Sequence, residues 1–395
     1  MKRYVKEASA LRNLMKLLSV EGTTGKEGAI AGVVLDELGK VVPIETHFRQ
    51  DGAHTRIPLP TEVGNLIFEI PGRGALAGAE MRLFCAHLDT VALASGARPV
   101  RKGNEVRAEG STALGADDRS GCAVLVTLAQ TLAKLDADAR PVALVFTVRE
   151  ESGLWGARYM DRRVVKKCDM GFCFDGGSPS ELVVAAPSAR EMVIDVEGLA
   201  SHAGVHPDEG VSAAVIFAEA VSSLHQDGWL GRIVTGDQVG TSNIGVVTGG
   251  DATNIVMPHL RAMGEARSYD EAFLDRIVEV ISRRFEAAAE RTKNAKGASG
   301  KASVRSSQQY RTFDLGDDAG VVREAEAALS RAGLRAAKMR LFGGLDANWL
   351  NAYGLPTVAL GTGAHNPHNV GEYLDVGEYL AACEIAVRLA AGVED

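Results

Sequence analysis

Two adjacent carboxylates directly follow an apolar segment in "PVALVFTVREESGLWGA", residues 141–157. The apolar run has the length of a buried strand, so Glu150 and Glu151 would stand at its carboxyl end. An unpaired charge at the edge of a protein core is strongly disfavoured. The pattern therefore indicates that the two carboxylates have a compensating partner.

Three further polar clusters lie at the end of an apolar run or at the start of a helical pattern. "CAHLDTV" places His87 and Asp89 two residues apart, on one face of a strand. "GADDRSG" places Asp117 and Asp118 before a helical pattern of leucines, and "FDGG" places Asp175 after another apolar run. Taken singly, each cluster is typical of a structural pair, a helix N-cap or a turn. Their recurrence at successive strand ends favours a shared chemical role.

Apolar runs of strand length alternate with helical patterns along this part of the chain. These runs are residues 65–70, 81–88, 142–148, 170–175 and 355–363. The alternation predicts an α/β fold with a mixed sheet flanked by helices. Ligands of such sheets gather outside the carboxyl ends of the strands, so the four clusters would converge there. Metal cations would neutralise so many carboxylates.

A chain of 395 residues is long for one hydrophobic core, and its middle has a different pattern. Residues 189–312 predict a strand–helix–strand–strand–helix–strand unit, which is a small α+β domain. We therefore expect a catalytic domain formed by residues 1–188 and 313–395, with residues 189–312 inserted as a separate domain.

Composition argues against several classes of protein. The formal net charge of −8 disfavours nucleic acid or an anionic membrane as a partner. Residues 1–18 predict an amphipathic helix rather than a signal peptide, and no 18-residue apolar run exists. Five cysteines, an odd number, fit structural thiols in the cytoplasm; Cys168 and Cys173 are poorly spaced for a metal pair.

As an ordered set, "HLDTV … GADDRSG … REESGLWGA … FDGG … SHAG … TNIVMPHLRAMGEARS … HNVGE" resembles the co-catalytic di-zinc metallopeptidases. That family includes peptidase T, carboxypeptidase G, succinyl-diaminopimelate desuccinylase and aminoacylase. The resemblance spans essentially the whole chain and is strongest to the peptidase T-like branch. It implies a zinc-exopeptidase type catalytic domain, with the inserted α+β domain as a lid or dimerisation domain.

The resemblance also implies two Zn²⁺ per chain, although Mn²⁺ or Co²⁺ could replace them, and a cis bond between Asp117 and Asp118. Asp117 would bridge the two metals. The implied metal ligands are His87, Asp117, Glu151, Asp175 and His368. For the last position His365 competes, but the family has a histidine followed four residues later by glutamate, which His368 and Glu372 fit.

Two catalytic roles follow from the same resemblance. Glu150 would act as general base toward a metal-activated water and then protonate the leaving amine. Asp89 would orient the imidazole of His87. In the inserted domain, His202 would stabilise the oxyanion, in some relatives across a homodimer, while Asn254 and Arg267 would hold the substrate.

We therefore predict a zinc-dependent amide hydrolase, an aminopeptidase for short peptides of the tripeptidase type. One alternative is a deacylase of N-acyl amino acids or similar small amides, which would use the same metal centre. The other is a non-catalytic metal-binding protein that keeps the fold. Its signature would be the loss of Glu150 or of a ligand, and every expected position is filled.

Overall fold

The structure is a computed structural model that describes residues 3–393, and it divides the chain into two compact units. One unit runs to Ala186 and resumes at Phe313; the other is Pro187–Thr312. The sequence placed the first boundary two residues later, between residues 188 and 189. Each unit has its own buried apolar cluster, so each is described by itself.

Among the described residues, the first unit begins with seven α-helices and eight strands. The helices are α1 (Glu7–Leu18), α2 (Gly28–Leu38), α3 (Ile44–His47), α4 (Ala53–Arg56), α5 (Ala116–Leu132), α6 (Trp155–Arg158) and α7 (Arg162–Val165). The strands are β1 (Phe48–Gln50), β2 (Leu66–Ile70), β3 (Met81–His87), β4 (Pro99–Lys102), β5 (Glu105–Ala108), β6 (Val142–Thr147), β7 (Cys168–Phe174) and β8 (Glu181–Ala186). The amino-terminal helix was predicted over residues 1–18. In the structure α1 starts at Glu7, and residues 1 and 2 lie outside the described residues.

The second unit is a five-stranded antiparallel sheet with two helices. Its elements are β9 (Ser188–Glu197), α8 (Ala213–Gln226), β10 (Gly231–Thr235), β11 (Gln238–Gly249), β12 (His259–Ser268), α9 (Glu271–Arg291) and β13 (Lys301–Tyr310). The strand order is β10–β11–β12–β9–β13. The sequence predicted four of these strands and missed β10, a short strand that forms a hairpin with β11.

The first unit is completed by five strands and three helices. They are β14 (Phe313–Asp314), α10 (Gly320–Arg331), β15 (Ala337–Arg340), α11 (Ala347–Ala352), β16 (Thr357–Leu360), β17 (Ala364–His365), β18 (Tyr373–Asp375) and α12 (Val376–Ala390). A nine-stranded sheet has the order β1–β2–β6–β3–β7–β16–β8–β14, with β15 also paired to β8. A four-stranded sheet, β17–β18–β5–β4, was not predicted.

The centre of the large sheet is parallel and its flanks are partly antiparallel. β6, β3, β7 and β16 run parallel to one another, whereas β2 pairs antiparallel with β6 and β8 pairs antiparallel with β16. Both faces are buried: along β3, Phe84 belongs to one apolar cluster and Cys85 to the other. This arrangement confirms the predicted mixed α/β sheet flanked by helices. It also brings the carboxyl ends of β6, β3 and β7 to one edge.

Candidate metal centre

The carboxyl edge of the parallel strands holds the predicted site residues of the first unit. His87 is the last residue of β3, Asp175 directly follows β7, and Glu150 and Glu151 follow β6. Asp117 lies at the start of α5. The peptide bond from Asp117 to Asp118 is cis, as the resemblance implied. Residues from four separate segments are thus assembled into one cluster.

Close packing explains how α5 approaches the end of β7. A Cβ atom at Gly121, in the first turns of α5, would lie 2.0 Å from the carbonyl oxygen of Phe174 and 2.4 Å from Oδ1 of Asp118. Only glycine fits there without a backbone shift. The main-chain N–H of Gly121 donates to Oδ1 of Asp118 (3.0 Å), and that of His87 donates to Oδ2 (3.1 Å). Asp118 therefore joins the helix to β3.

Asp117 faces two histidines, one with each carboxylate oxygen. Nε2 of His87 lies 3.1 Å from Oδ1, and Nε2 of His368 lies 3.3 Å from Oδ2. The same nitrogen of His368 is 3.0 Å from Oε1 of Glu151. Two ligand atoms bound tetrahedrally at zinc distances would be about 3.3 Å apart. These separations therefore fit pairs of ligands that share a cation.

Two groups of three ligand atoms, each within 4.8 Å of one another, can be drawn around His87. One group is His87, Asp117 and Glu151; the other is His87, Asp118 and Asp175. Asp175 thus belongs to the cluster, although its neighbour in the second group is Asp118 rather than Asp117. Imidazole nitrogen and carboxylate oxygen are suitable ligands for zinc and related divalent metals. The residues present therefore fit the implied cofactor.

The orientation of His87 leaves its Nε2 available to a metal. Nδ1 lies 3.0 Å from the main-chain oxygen of Asp89 and 3.5 Å from its carboxylate Oδ1. A proton on Nδ1 donated to residue 89 places the lone pair on Nε2, toward Asp117. The nearer acceptor is the carbonyl group of Asp89, rather than the carboxylate that the resemblance implied.

The carboxylate of Asp89 has a different set of partners. The main-chain N–H of Glu150 donates to Oδ1 (2.9 Å), that of Glu151 donates to Oδ2 (3.2 Å), and the Thr24 hydroxyl donates to Oδ2 (2.8 Å). Asp89 is fully buried, which by itself would raise its pKa, but His87, followed by the bonds from Thr24 and the N–H of Glu150, lowers the pKa below the ordinary value. An ionised Asp89 therefore fixes the backbone of the glutamate pair.

Electrostatics within the cluster are unfavourable for its carboxylates. Burial, followed by the nearby charge of Asp117, raises the pKa of Asp175 to about 7. Burial also raises the pKa of Glu150 well above its usual range, with Asp175 and Asp346 adding to the effect. Hydrogen bonds to Asp117 and Glu151 raise the pKa of His368 to about 10. A cation bound here would relieve this repulsion.

His368 is the histidine that the structure brings to the cluster, and His365 is not. His368 has φ 59°, in the left-handed region that non-glycine residues rarely adopt. Nε2 of His365 instead lies 2.6 Å from Oε2 of Glu378, and its ring stacks on Tyr373. Sequence spacing favoured His368 because Glu372 follows it by four residues. This placement agrees with that choice.

That glutamate and one aspartate have roles that the sequence did not predict. Glu372 is buried and accepts the main-chain N–H groups of Gly115 (2.8 Å) and Asp117 (3.0 Å), so it positions Asp117. Asp346 is buried, accepts the hydroxyl of Thr147, and has its pKa raised to about 6 by burial. The spacing from His368 pointed to Glu372, but no local signal marks Asp346.

The predicted substrate residues all lie in the second unit. His202 and Asn254 come together: the N–H of Ala203 donates to the carbonyl of Asn254 (2.9 Å). Arg267 lies near the far end of β12, with Nε and Nη2 bound to the carboxylate of Glu265 at 3.1 and 2.9 Å. Eight residues of strand separate it from His259, a span of about 25 Å. Asn254 precedes the start of β12, whereas Arg267 lies near its end.

Comparison with known proteins identifies the family. Residues 83–392 match the model of Peptidase family M20/M25/M40. The chain is 30% identical over 389 residues to an uncharacterised protein, YqjE, of Bacillus subtilis (strain 168), covering 98% of each.

Two solved structures are also similar over the whole chain. Aminopeptidase PepT from Bacillus cereus is 30% identical with a TM-score of 0.83, and a tripeptidase from Staphylococcus aureus is 28% identical with a TM-score of 0.85. Each match covers 98% of both chains. These similarities confirm the predicted resemblance to the peptidase T-like branch. The chain therefore belongs to peptidase family M20/M25/M40 and is a metal-dependent peptide hydrolase.

Proposed function

We propose that this protein is a di-zinc aminopeptidase that removes the amino-terminal residue of short peptides, tripeptides above all. The observation that carries the two-metal part is Asp117, whose two oxygens each face a different histidine. The substrate part is supported by the PepT aminopeptidase and the tripeptidase to which the chain is similar. Five cysteines that are all thiols favour the cytoplasm as its location.

The proposed ligands are His87 and Asp175 for one metal, Glu151 and His368 for the other, and Asp117 for both. When bound, the two metals would lower the pKa of a water molecule and polarise the scissile carbonyl. Asp89 and Glu372 are proposed to hold the ligands, Asp89 through His87 and Glu372 through the N–H of Asp117.

Glu150 is the proposed general base. Its carboxylate would take the proton of the attacking water and deliver it to the nitrogen of the leaving amine. Its main-chain N–H donates to Asp89, and the residue as a whole is only 9% exposed. Such a carboxylate is both oriented and partly shielded from water, as proton transfer in a closed site requires.

His202 is proposed to donate a hydrogen bond to the oxyanion. Its Nδ1 accepts the main-chain N–H groups of Gly204 and Val205, both at 3.2 Å. The neutral ring then carries its proton on Nε2, which is the form that can donate to a developing negative charge. Asn254, held beside His202, is proposed to bind the substrate backbone.

Arg267 is proposed to bind the substrate carboxylate, yet a tripeptide is only about 10 Å long when extended. That length is short beside the roughly 25 Å of β12 that lies between Arg267 and the end of the strand that follows Asn254 in sequence. We therefore propose a homodimer in which His202 and Asn254 act on the substrate held by the partner subunit. Mixing the inactive variants His202→Ala and Glu150→Gln should then restore about a quarter of wild-type activity after subunit exchange. No recovery in a confirmed mixed dimer would contradict this arrangement.

The substrate class is tested by comparing tripeptides, dipeptides and N-acyl amino acids with the metal-loaded enzyme. Preferential hydrolysis of tripeptides with a free amino terminus is expected. Amino-terminal acetylation of the same tripeptides should abolish turnover. Faster cleavage of N-acyl amino acids would instead identify a deacylase, the alternative that shares this metal centre.

A further inference from the structure

The turn that carries Glu150 and Glu151 is held by three successive main-chain N–H groups. The N–H of Arg149 donates to Oε1 of Glu27 (3.1 Å), and the next two donate to the carboxylate of Asp89. Arg149 has φ 52°, a left-handed conformation that is unfavourable for arginine. The turn therefore depends on contacts from outside itself to keep its shape.

Glu27 lies in the segment that connects α1 to α2, more than 120 residues before the turn in sequence. It has no exposed surface, and Oε1 also accepts the N–H of Gly25 (2.7 Å). Among the described residues, its Oε2 has no hydrogen-bond partner. Burying a carboxylate whose hydrogen-bonding capacity is only half used is costly.

Thr24, three residues earlier, contacts the second carboxylate that holds the turn. Its hydroxyl donates to Oδ2 of Asp89 (2.8 Å), the oxygen that also accepts the N–H of Glu151. The N–H of Thr24 donates to the carbonyl of Thr90 (3.1 Å), which fixes the segment beside Asp89. Residues 24–27 thus supply one acceptor for the turn, Glu27, and a hydrogen bond to the other, Asp89.

We propose that Glu27 and Thr24 are positioning residues for Glu150, and this inference rests on the proposed role of Glu150 as general base. Loss of the acceptor at Glu27 leaves the N–H of Arg149 unpaired, and the turn relaxes from its left-handed conformation. The carboxylate of Glu150 is displaced with it. A displacement of about 1 Å at a reacting group lowers the rate by about 100-fold.

The test compares Glu27→Leu with Glu27→Gln. Leucine fills the site without an acceptor, whereas glutamine keeps an oxygen that can receive both N–H groups. Glu27→Leu should lower kcat by about 30- to 100-fold with little change in KM, and Glu27→Gln should stay within about threefold of wild type. Both should retain wild-type metal content. Equal kcat loss in the two variants would overturn the proposal.

Glu384 provides the matched control. It is also a buried glutamate, and one of its oxygens accepts two main-chain N–H groups, those of Tyr4 (2.8 Å) and Val5 (2.9 Å). It lies on α12, and the two N–H groups it accepts belong to the amino-terminal segment rather than to the turn. Glu384→Leu should lower the melting temperature but leave kcat of the folded enzyme within about twofold. A kcat loss equal to that of Glu27→Leu would show that burial of any such glutamate matters, and not its place beside the turn.

A second readout does not depend on activity. Amide hydrogen exchange of a peptide covering residues 148–155 should be at least tenfold faster in Glu27→Leu and unchanged in Glu27→Gln. Should Glu27→Leu fail to fold, Thr24→Val against Thr24→Ser applies the same comparison at the other contact. Unchanged exchange in the variant lacking the acceptor or donor would refute the positioning role. Faster exchange in Glu27→Leu, together with no peptidase activity in the wild-type protein, would instead refute the proposed function alone.

Discussion

Glu150 and Glu151 are adjacent in sequence but have different surroundings. Glu151 reaches His368, with Oε1 and Oε2 both 3.0 Å from Nε2. Glu150 is surrounded by the negative charges of Asp175 and Asp346, which with burial keep its pKa high. This difference supports the proposal that Glu151 is a metal ligand and Glu150 the general base. The same substitution at the two positions should therefore have different effects.

Glu150→Gln should retain both metals and lose several orders of magnitude in kcat, because the amide cannot accept the proton. Glu151→Gln should weaken occupancy of one metal, since a neutral amide is a poorer ligand than a carboxylate. Steady-state kinetics combined with elemental analysis of each purified variant separates the two results. An exchange of the two phenotypes would reverse the proposed assignment of base and ligand.

At the scale of elements, the central strands were predictable and the small sheet was not. The runs at 65–70, 81–88 and 142–148 became β2, β3 and β6 because buried strands are continuously apolar. The four-stranded sheet instead depends on distant pairing, such as Arg107 with Tyr373. Strands of two to four residues carry no periodicity from which such partners can be inferred.

The same distinction applies to the site. Carboxylates and histidines at strand ends were visible in the sequence because several clusters shared one position in the fold. Glu27 and Asp346 were not visible in this way. Their partners, a main-chain N–H group and a hydroxyl group, are distant in sequence and come close only in the folded chain. The residues next to Glu27 and Asp346 in sequence do not distinguish them from any other buried glutamate or aspartate.

Helices α1 and α2 are joined by a salt bridge that makes their packing dependent on pH. Nζ of Lys16 lies 2.6 Å, and that of Lys40 2.7 Å, from Oε1 of Glu37. Burial of Glu37 opposes its ionisation, but the two lysines outweigh it and lower the pKa below the ordinary value of 4.5. The ionised form is therefore favoured by folding, and its stabilising effect disappears as the pH falls through the folded pKa.

Glu37→Gln should reduce the free energy of unfolding by about 0.5 to 1 kcal/mol at pH 7, because the partner lysines are exposed and screened by solvent. The difference from wild type should shrink as the pH falls below 4.5. Urea unfolding at pH 7 and in the acid range measures it. A difference that stays constant or grows in acid would show that the lysine contacts do not favour the charged carboxylate.

At the scale of the molecule, the inserted unit leaves and re-enters the first unit at one place. Ala186, at the end of β8, pairs antiparallel with Phe313, at the start of β14. The ends of the insertion are therefore adjacent, and the two units have separate apolar cores. Among the described residues, no helix combines the length and apolarity that crossing a bilayer demands.

Replacing residues 187–312 by a short glycine linker should therefore leave the first unit folded with its metal centre intact. We expect a loss of at least 100-fold in kcat on tripeptides, because the proposed oxyanion donor His202 is removed. Circular dichroism, metal content and kinetics together check this outcome. Peptidase activity near that of the full chain would show that the inserted unit has no catalytic role.

We propose that one cluster binds two metal ions bridged by Asp117. The most direct measurement is the metal content of the purified protein, by elemental analysis after equilibration with Zn²⁺ and removal of the excess. We expect two zinc ions per chain in the wild type, and loss of both ions and of activity in Asp117→Ala. One zinc ion per fully active chain, or full activity after exhaustive chelation, would contradict it.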